Sequence, residues 1–151
     1  MEAFRPAFPI VDGIEFADDD VPLIKELVEL YESVGWSRYS DDPDGLARAV
    51  DRSTYVVTAR DDDGELIGLA RCLSDDVSIM YLQDVLVYPD RQRRGLGRAL
   101  VGACLDRFNH VRQKVLLTDN EPGQIAFYEH LGYQNLRDVQ PVMNTFVRFD
   151  H

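Results

Sequence analysis

The stretch Val85-Leu86-Val87-Tyr88-Pro89-Asp90-Arg91-Gln92-Arg93-Arg94-Gly95-Leu96-Gly97-Arg98 decides the reading of this chain. It begins as an apolar strand, passes through a basic, glycine-bearing turn, and runs into a helix with Leu96, Ala99, Leu100, Ala103, Cys104 and Phe108 on one face. A helix N-terminus leaves about four backbone N–H groups without intrahelical acceptors. The macrodipole adds roughly half a positive charge at the same place. Glycines admit an anion's oxygens close to the backbone, so strand, turn and helix together form a cradle for a diphosphate. Two other phosphate motifs are excluded. Arg98-Ala99 stands where a P-loop has Lys-Ser/Thr, and Leu100 stands where a dinucleotide fingerprint has its third glycine.

Outward from this segment the chain alternates element types. Ile14 to Phe16 reads as a first strand. Asp18-Asp19-Asp20 ahead of Pro22 predicts a capped helix to about Ser33, ended by Gly35, and Asp42-Pro43 opens a shorter helix. Ser53 to Arg60 and Leu66 to Cys72 form a hairpin about Asp63-Gly64. Met80 to Tyr88 is the strongest strand. After the helix to Phe108 come a strand over Val111 to Thr118, a helix over Gln124 to Leu131, and two final strands, Tyr133 to Leu136 and Val142 to Phe149. This order predicts an α/β (α+β mixed) fold: a mixed, mostly antiparallel twisted sheet of about six to seven strands with helices on both faces. No linker divides the chain, so one domain is expected over residues 1–151.

Bulk properties narrow the function. The net charge of −11 argues against general nucleic-acid binding, which makes the concentration of Arg91, Arg93, Arg94 and Arg98 in one turn the more telling. No apolar run reaches the roughly 20 residues of a membrane span, and Met1 to Phe8 does not read as a signal peptide; the expectation is a cytoplasmic protein away from membranes. Cys72 and Cys104 read as free buried thiols. No metal is called for, and homodimerisation is left open.

Gln92-x-x-Gly95-x-Gly97 after an apolar strand resembles motif A of the GNAT (Gcn5-related N-acetyltransferase) superfamily. The resemblance implies acetyl-coenzyme A as co-substrate. Backbone groups of Val85, Leu86 and Val87 would pair with the pantetheine arm, and Gln92, Arg93, Arg94, Gly95, Leu96, Gly97 and Arg98 would hold the phosphates. Downstream, Ala126-Phe127-Tyr128-Glu129-His130-Leu131-Gly132-Tyr133 resembles the superfamily's motif B. It implies that Tyr128 is the general acid protonating the departing thiolate; Phe127 also reads as plain core. The family's Asn seven residues before that Tyr is Glu121 here, leaving Asn120 as a substitute cofactor contact.

An amine acceptor must lose a proton before attack. Asp84, an acid within an apolar strand, is the candidate base; strict alternation points it away from Val85 unless a bulge re-aims it, and the competing reading is a buried Asp bonded to backbone or Arg. Asp119 and His110 are further candidates, and a water chain is another route. Glu32, Trp36 and Tyr39 are candidates for the acceptor site, with core packing the competing reading for Trp36. Asp84 ahead of the apolar triplet, and Glu121-Pro122 ahead of the motif B helix, also resemble plant-type serotonin N-acetyltransferases and their prokaryotic relatives. That implies an arylalkylamine as the small-molecule acceptor. A protein N-terminal or Lys acceptor, and an acetyl-CoA sensor without turnover, stand as alternatives.

Overall fold

The computed structural model describes residues 7–151. It divides into two compact units, Met1–Leu117 and Thr118–His151.

The first unit is built on a sheet of strand order β1-β2-β3-β4-β5, with β1 Ile14–Ala17, β2 Tyr55–Asp61, β3 Leu66–Ser74, β4 Ile79–Val87 and β5 Gln113–Leu116. Neighbours pair antiparallel from β1 to β4, while β5 runs parallel to β4. The Asp61–Gly64 hairpin forms as its sequence predicts: Asp61 N–H donates to Glu65 O, and Gly64 sits at φ +78°. Three helices, α1 Ile24–Ser33, α2 Ser37–Ser40 and α3 Pro43–Asp51, lie on one face. Leu27, Leu30, Tyr31, Leu46 and Val50 from that layer form one core with Leu66, Leu69 and Leu86 of the sheet. Helix α4, Leu96–Arg107, covers the other face, where Leu100 Cδ1 lies 3.2 Å from the position a Cβ on Gly68 would take. Cys72 and Cys104 are free and buried.

Local signals were met in some places and overridden in others. Asp42 caps α3 by accepting from Gly45 N–H at 3.0 Å. The acids before α1 do not cap it. Glu26 accepts from Leu23 N–H instead, and Asp20 is drawn to Arg60 (2.7 Å) and Thr58 (2.9 Å) on β2. A charge-assisted bond to a guanidinium outweighs a cap.

The second unit carries α5, Pro122–His130, and a 3-10 turn at Leu136–Asp138. The two expected final strands are absent: Tyr133 to Leu136 and Val142 to Phe149 pair with nothing among the described residues. The described sheet therefore has five strands rather than six to seven. Residue types in these segments favour strands, but a strand exists only where a neighbouring ladder accepts it. No helix among the described residues is long and apolar enough to cross a membrane.

Candidate active site

Strand β4 outruns its parallel neighbour. The β4–β5 pairing covers Ile79 to Leu82, and no described strand pairs with that edge over Gln83 to Val87. Opposite β3, Arg71 pairs with Asp84 and Cys72 with Leu82, so Gln83 is an extra residue, a β-bulge. Tyr88 N–H donates to Ile67 O at 2.9 Å. Antiparallel alternation then turns the backbone of Leu86 toward β3 and those of Val85 and Val87 toward the unpaired edge. Of the three residues expected to meet a pantetheine arm, Val85 and Val87 thus present N–H and C=O groups outward.

The turn after β4 is braced from both sides. Pro89–Arg91 forms a 3-10 turn, and Arg91 N–H donates to Tyr88 O at 2.8 Å. The Arg91 guanidinium bonds Asp61 of the hairpin at 2.9 Å, which ties this arginine to the scaffold. Gln92 Nε2 donates to Val87 O at 3.1 Å, so this side chain closes the turn on the strand's last outward carbonyl rather than reaching into the cradle. Arg93 holds φ +64°, a conformation that costs a non-glycine residue about 1–3 kcal/mol and is characteristic of functional turns. Gly95 caps α4 at φ +82°, a left-handed conformation that glycine adopts without a Cβ clash. The first helical bond runs from Ala99 N–H to Gly95 O. The N–H groups of Leu96, Gly97 and Arg98 therefore precede the ladder, and no side chain caps them among the described residues. Arg93, Arg94 and Arg98 are exposed around them.

Asp84 is placed differently from its expected role. Its side chain is 3% exposed and accepts from Arg71 Nε at 2.5 Å, Tyr31 Oη at 2.9 Å and Tyr39 Oη at 3.1 Å. Arg71 also reaches Ser53 Oγ and Tyr39 Oη, and bulged Gln83 donates to Tyr39 Oη at 3.1 Å. Burial opposes the charge on Arg71, yet Asp84 holds its pKa above the ordinary value. Burial, and next the Asp84 carboxylate, hold the Tyr31 phenol well above its usual range, so it stays a donor. An acid bonded by a guanidinium and two phenols is the buried Asp–Arg arrangement, the alternative to the base role expected for Asp84. Asp84 points to the α1–α3 face and Val85 to the α4 face, as alternation requires; the bulge falls before Asp84 and does not re-aim it toward the unpaired edge. Arg71 and Tyr31 are not among the expected site residues, Tyr31 having the spacing of a core position, although an Arg inside the apolar run Leu66 to Cys72 is a visible signal.

Removing one partner from this pair strands a buried charge. Asp84→Leu should destabilise the protein by about 3–5 kcal/mol in urea unfolding, and the double change Arg71→Met/Asp84→Leu by much less. Equal losses in the two variants would contradict the pairing.

Of the residues expected to line an acceptor site, Trp36 and Tyr39 meet around Tyr31, with ring centroids 5.9 Å (Tyr31–Trp36), 5.0 Å (Tyr31–Tyr39) and 6.3 Å (Trp36–Tyr39) apart. Both are half-buried, whereas Glu32 is exposed on α1. In the second unit, Glu121 caps α5 by accepting from Gly123 and Gln124 N–H at 3.1 and 3.0 Å, which is a structural reason for an acid there. Asn120 is exposed just before it. Tyr128 lies on α5 against Phe127 and Tyr133, and burial raises its pKa above the ordinary value near 10.

The family model for the acetyltransferase (GNAT) family matches residues 21–133. An uncharacterized N-acetyltransferase, ycf52, of Pyropia yezoensis is 27% identical over 89% of this chain and 80% of its own length. A ycf52-like N-acetyltransferase of Prochlorococcus marinus is 35% identical over 72% of this chain, which spans 61% of that protein. Among solved structures, a GNAT-family acetyltransferase from Streptococcus pneumoniae superposes with a TM-score of 0.76 at 25% identity, covering 91% of this chain and 99% of that one.

Proposed function

We propose that this chain, which belongs to the GNAT family of acetyltransferases, moves acetyl from acetyl-coenzyme A to a primary amine of a small molecule by direct attack. The observation that carries this reading is the unpaired β4 edge leading into a bare, arginine-flanked helix N-terminus. The outward N–H and C=O of Val85 and the outward N–H of Val87 suit the two amides of a pantetheine arm, which bind as an added strand does. The N–H groups of Leu96, Gly97 and Arg98, with the guanidiniums of Arg93, Arg94 and Arg98, suit its diphosphate. A cleft of about 420 Å³ lined by Phe8, Pro9, Gly95, Arg98 and Gly102 gives the nucleotide end room beside that turn.

The amine nitrogen attacks the thioester carbonyl, forming an N–C bond. The C–S bond then breaks, and the thiolate takes the proton of the Tyr128 phenol. With Asp84 committed to Arg71, the amine gives up its proton to solvent water. The aromatic surface of Trp36 and Tyr39 favours an arylalkylamine.

The test is thiol release from acetyl-CoA against tryptamine, polyamines, aminoglycosides and peptide N-termini. Turnover is expected with arylalkylamines. Acetyl-CoA binding without turnover on any amine would make the chain a sensor, and turnover confined to peptides would move the acceptor to proteins.

A further inference from the structure

The hydrogen bonds around Tyr39 leave one acceptor unused. A phenol has one proton to donate and two lone pairs to accept with. Tyr39 donates to Asp84 Oδ1 at 3.1 Å and accepts from Arg71 Nη2 at 3.3 Å and Gln83 Nε2 at 3.1 Å, so its capacity is full. With its proton given to Asp84, the phenol can take only an N–H from Gln83. That turns the carboxamide nitrogen inward and Oε1 away from Tyr39. Gln83 is exposed, and its Oε1 has no partner among the described residues.

This acceptor stands where the two halves of the site meet. Gln83 is the bulged residue of β4, and its side chain goes to the same face as Asp84, toward Tyr39 of α2. It is also the first residue of the β4 edge that β5 leaves unpaired. A pantetheine arm whose diphosphate lies at the start of α4 and whose amides meet Val87 and Val85 runs back along β4 toward Gln83. Its sulfur is two methylenes beyond the second amide, and a strand advances about 3.3 Å per residue, so the thioester comes level with Gln83. On the other side, Tyr39 belongs to the aromatic surface it shares with Trp36.

We propose that Gln83 Oε1 accepts an N–H of the acceptor amine and aims the amine's lone pair at the thioester carbonyl, which makes Gln83 a specificity-determining residue. The role rests on the acetyltransferase reading. Positive charge grows on the nitrogen as the N–C bond forms, so this hydrogen bond is stronger in the transition state than in the bound substrate. Gln83 takes no proton; the amine's proton still leaves to water. A carboxamide oxygen is neutral, so it orients the amine without holding it as ammonium, which a carboxylate would do. Tyr39 acts through Gln83, by fixing which way the amide faces.

Two variants test it with the amine that the wild-type chain turns over fastest. Gln83→Leu nearly keeps the volume and removes the acceptor. Its kcat/KM for the amine should fall about 10- to 100-fold, the range for losing a hydrogen bond to a group that gains charge. Its affinity for acetyl-CoA by calorimetry and its unfolding midpoint should match wild type. Gln83→Glu separates orientation from packing. With CoA bound at neutral pH, the new carboxylate should hold the ammonium form about 3-fold more tightly than wild type. Turnover should nonetheless drop about 10-fold or more, because the carboxylate raises the pKa of the bound amine. Wild-type turnover in Gln83→Leu overturns the role. So does a Gln83→Glu chain that loses amine binding and turnover together, which is how a merely structural residue would behave. A wild-type chain that binds no acetyl-CoA and acetylates no amine overturns the acetyltransferase reading and the role with it, an outcome distinct from an active wild type that is indifferent to the loss of Gln83.

Discussion

Gly97→Glu should abolish measurable binding of acetyl-CoA, weakening it by at least about 100-fold, while the circular dichroism spectrum and unfolding midpoint stay near wild type. The substitution puts a carboxylate beside the N–H groups of Leu96, Gly97 and Arg98. Those groups precede the helical ladder and are the fixed positive pole of the site. A negative charge there competes with a diphosphate for the same donors and repels it. A like-charge clash at close range costs several kcal/mol, which is more than a two-decade loss requires. The same carboxylate at a helix N-terminus is mildly favourable to the helix itself, so the fold should persist. Calorimetry reads the outcome, and undiminished affinity would show that the diphosphate binds elsewhere.

Tyr128→Phe should lower kcat about 10²-fold or more with little change in affinity for acetyl-CoA. The phenol is asked only to deliver a proton as the C–S bond breaks, an interaction made in the transition state. Burial raises the Tyr128 pKa above its ordinary value near 10. The sign follows: a general acid works while protonated, so its contribution is present below its pKa and is lost only as pH rises through it. Wild-type turnover should therefore hold to pH 9 and beyond, with no decline from this group in the neutral range. Wild-type rates in the Phe variant would remove Tyr128 from the mechanism.

The strand, turn and helix start of the proposed cradle could be read in the sequence because every part is local. A strand, a proline, arginines and two glycines follow one another within Val85 to Arg98, and each acts on the backbone near itself. The Asp84 assembly could not. Its partners Tyr31, Tyr39 and Arg71 come from three distant segments, and only the fold brings them within hydrogen-bond reach. A lone acid in an apolar strand signals that something pairs with it, but its partner decides whether it exchanges protons or anchors. Gln92 shows the same limit on a smaller scale. Motif position implied a phosphate contact, whereas its amide is bound to Val87 O. At the C-terminus, Val142 to Phe149 reads as a strand because its residue types favour one; type alone does not provide the ladder that would make it so. Likewise Asp20 has the sequence of a helix cap, but tertiary contact with Arg60 claims it.

The proposed chemistry depends on the bare start of α4 and its arginines holding a diphosphate. The most direct measurement compares, by calorimetric titration of the wild-type chain, acetyl-CoA with S-acetylpantetheine, which keeps the amide arm and thioester but has no phosphate. Loss of several charge-assisted bonds predicts at least about 100-fold weaker binding of the truncated donor. Equal affinity for the two would mean that the turn from Gln92 to Arg98 holds no phosphate.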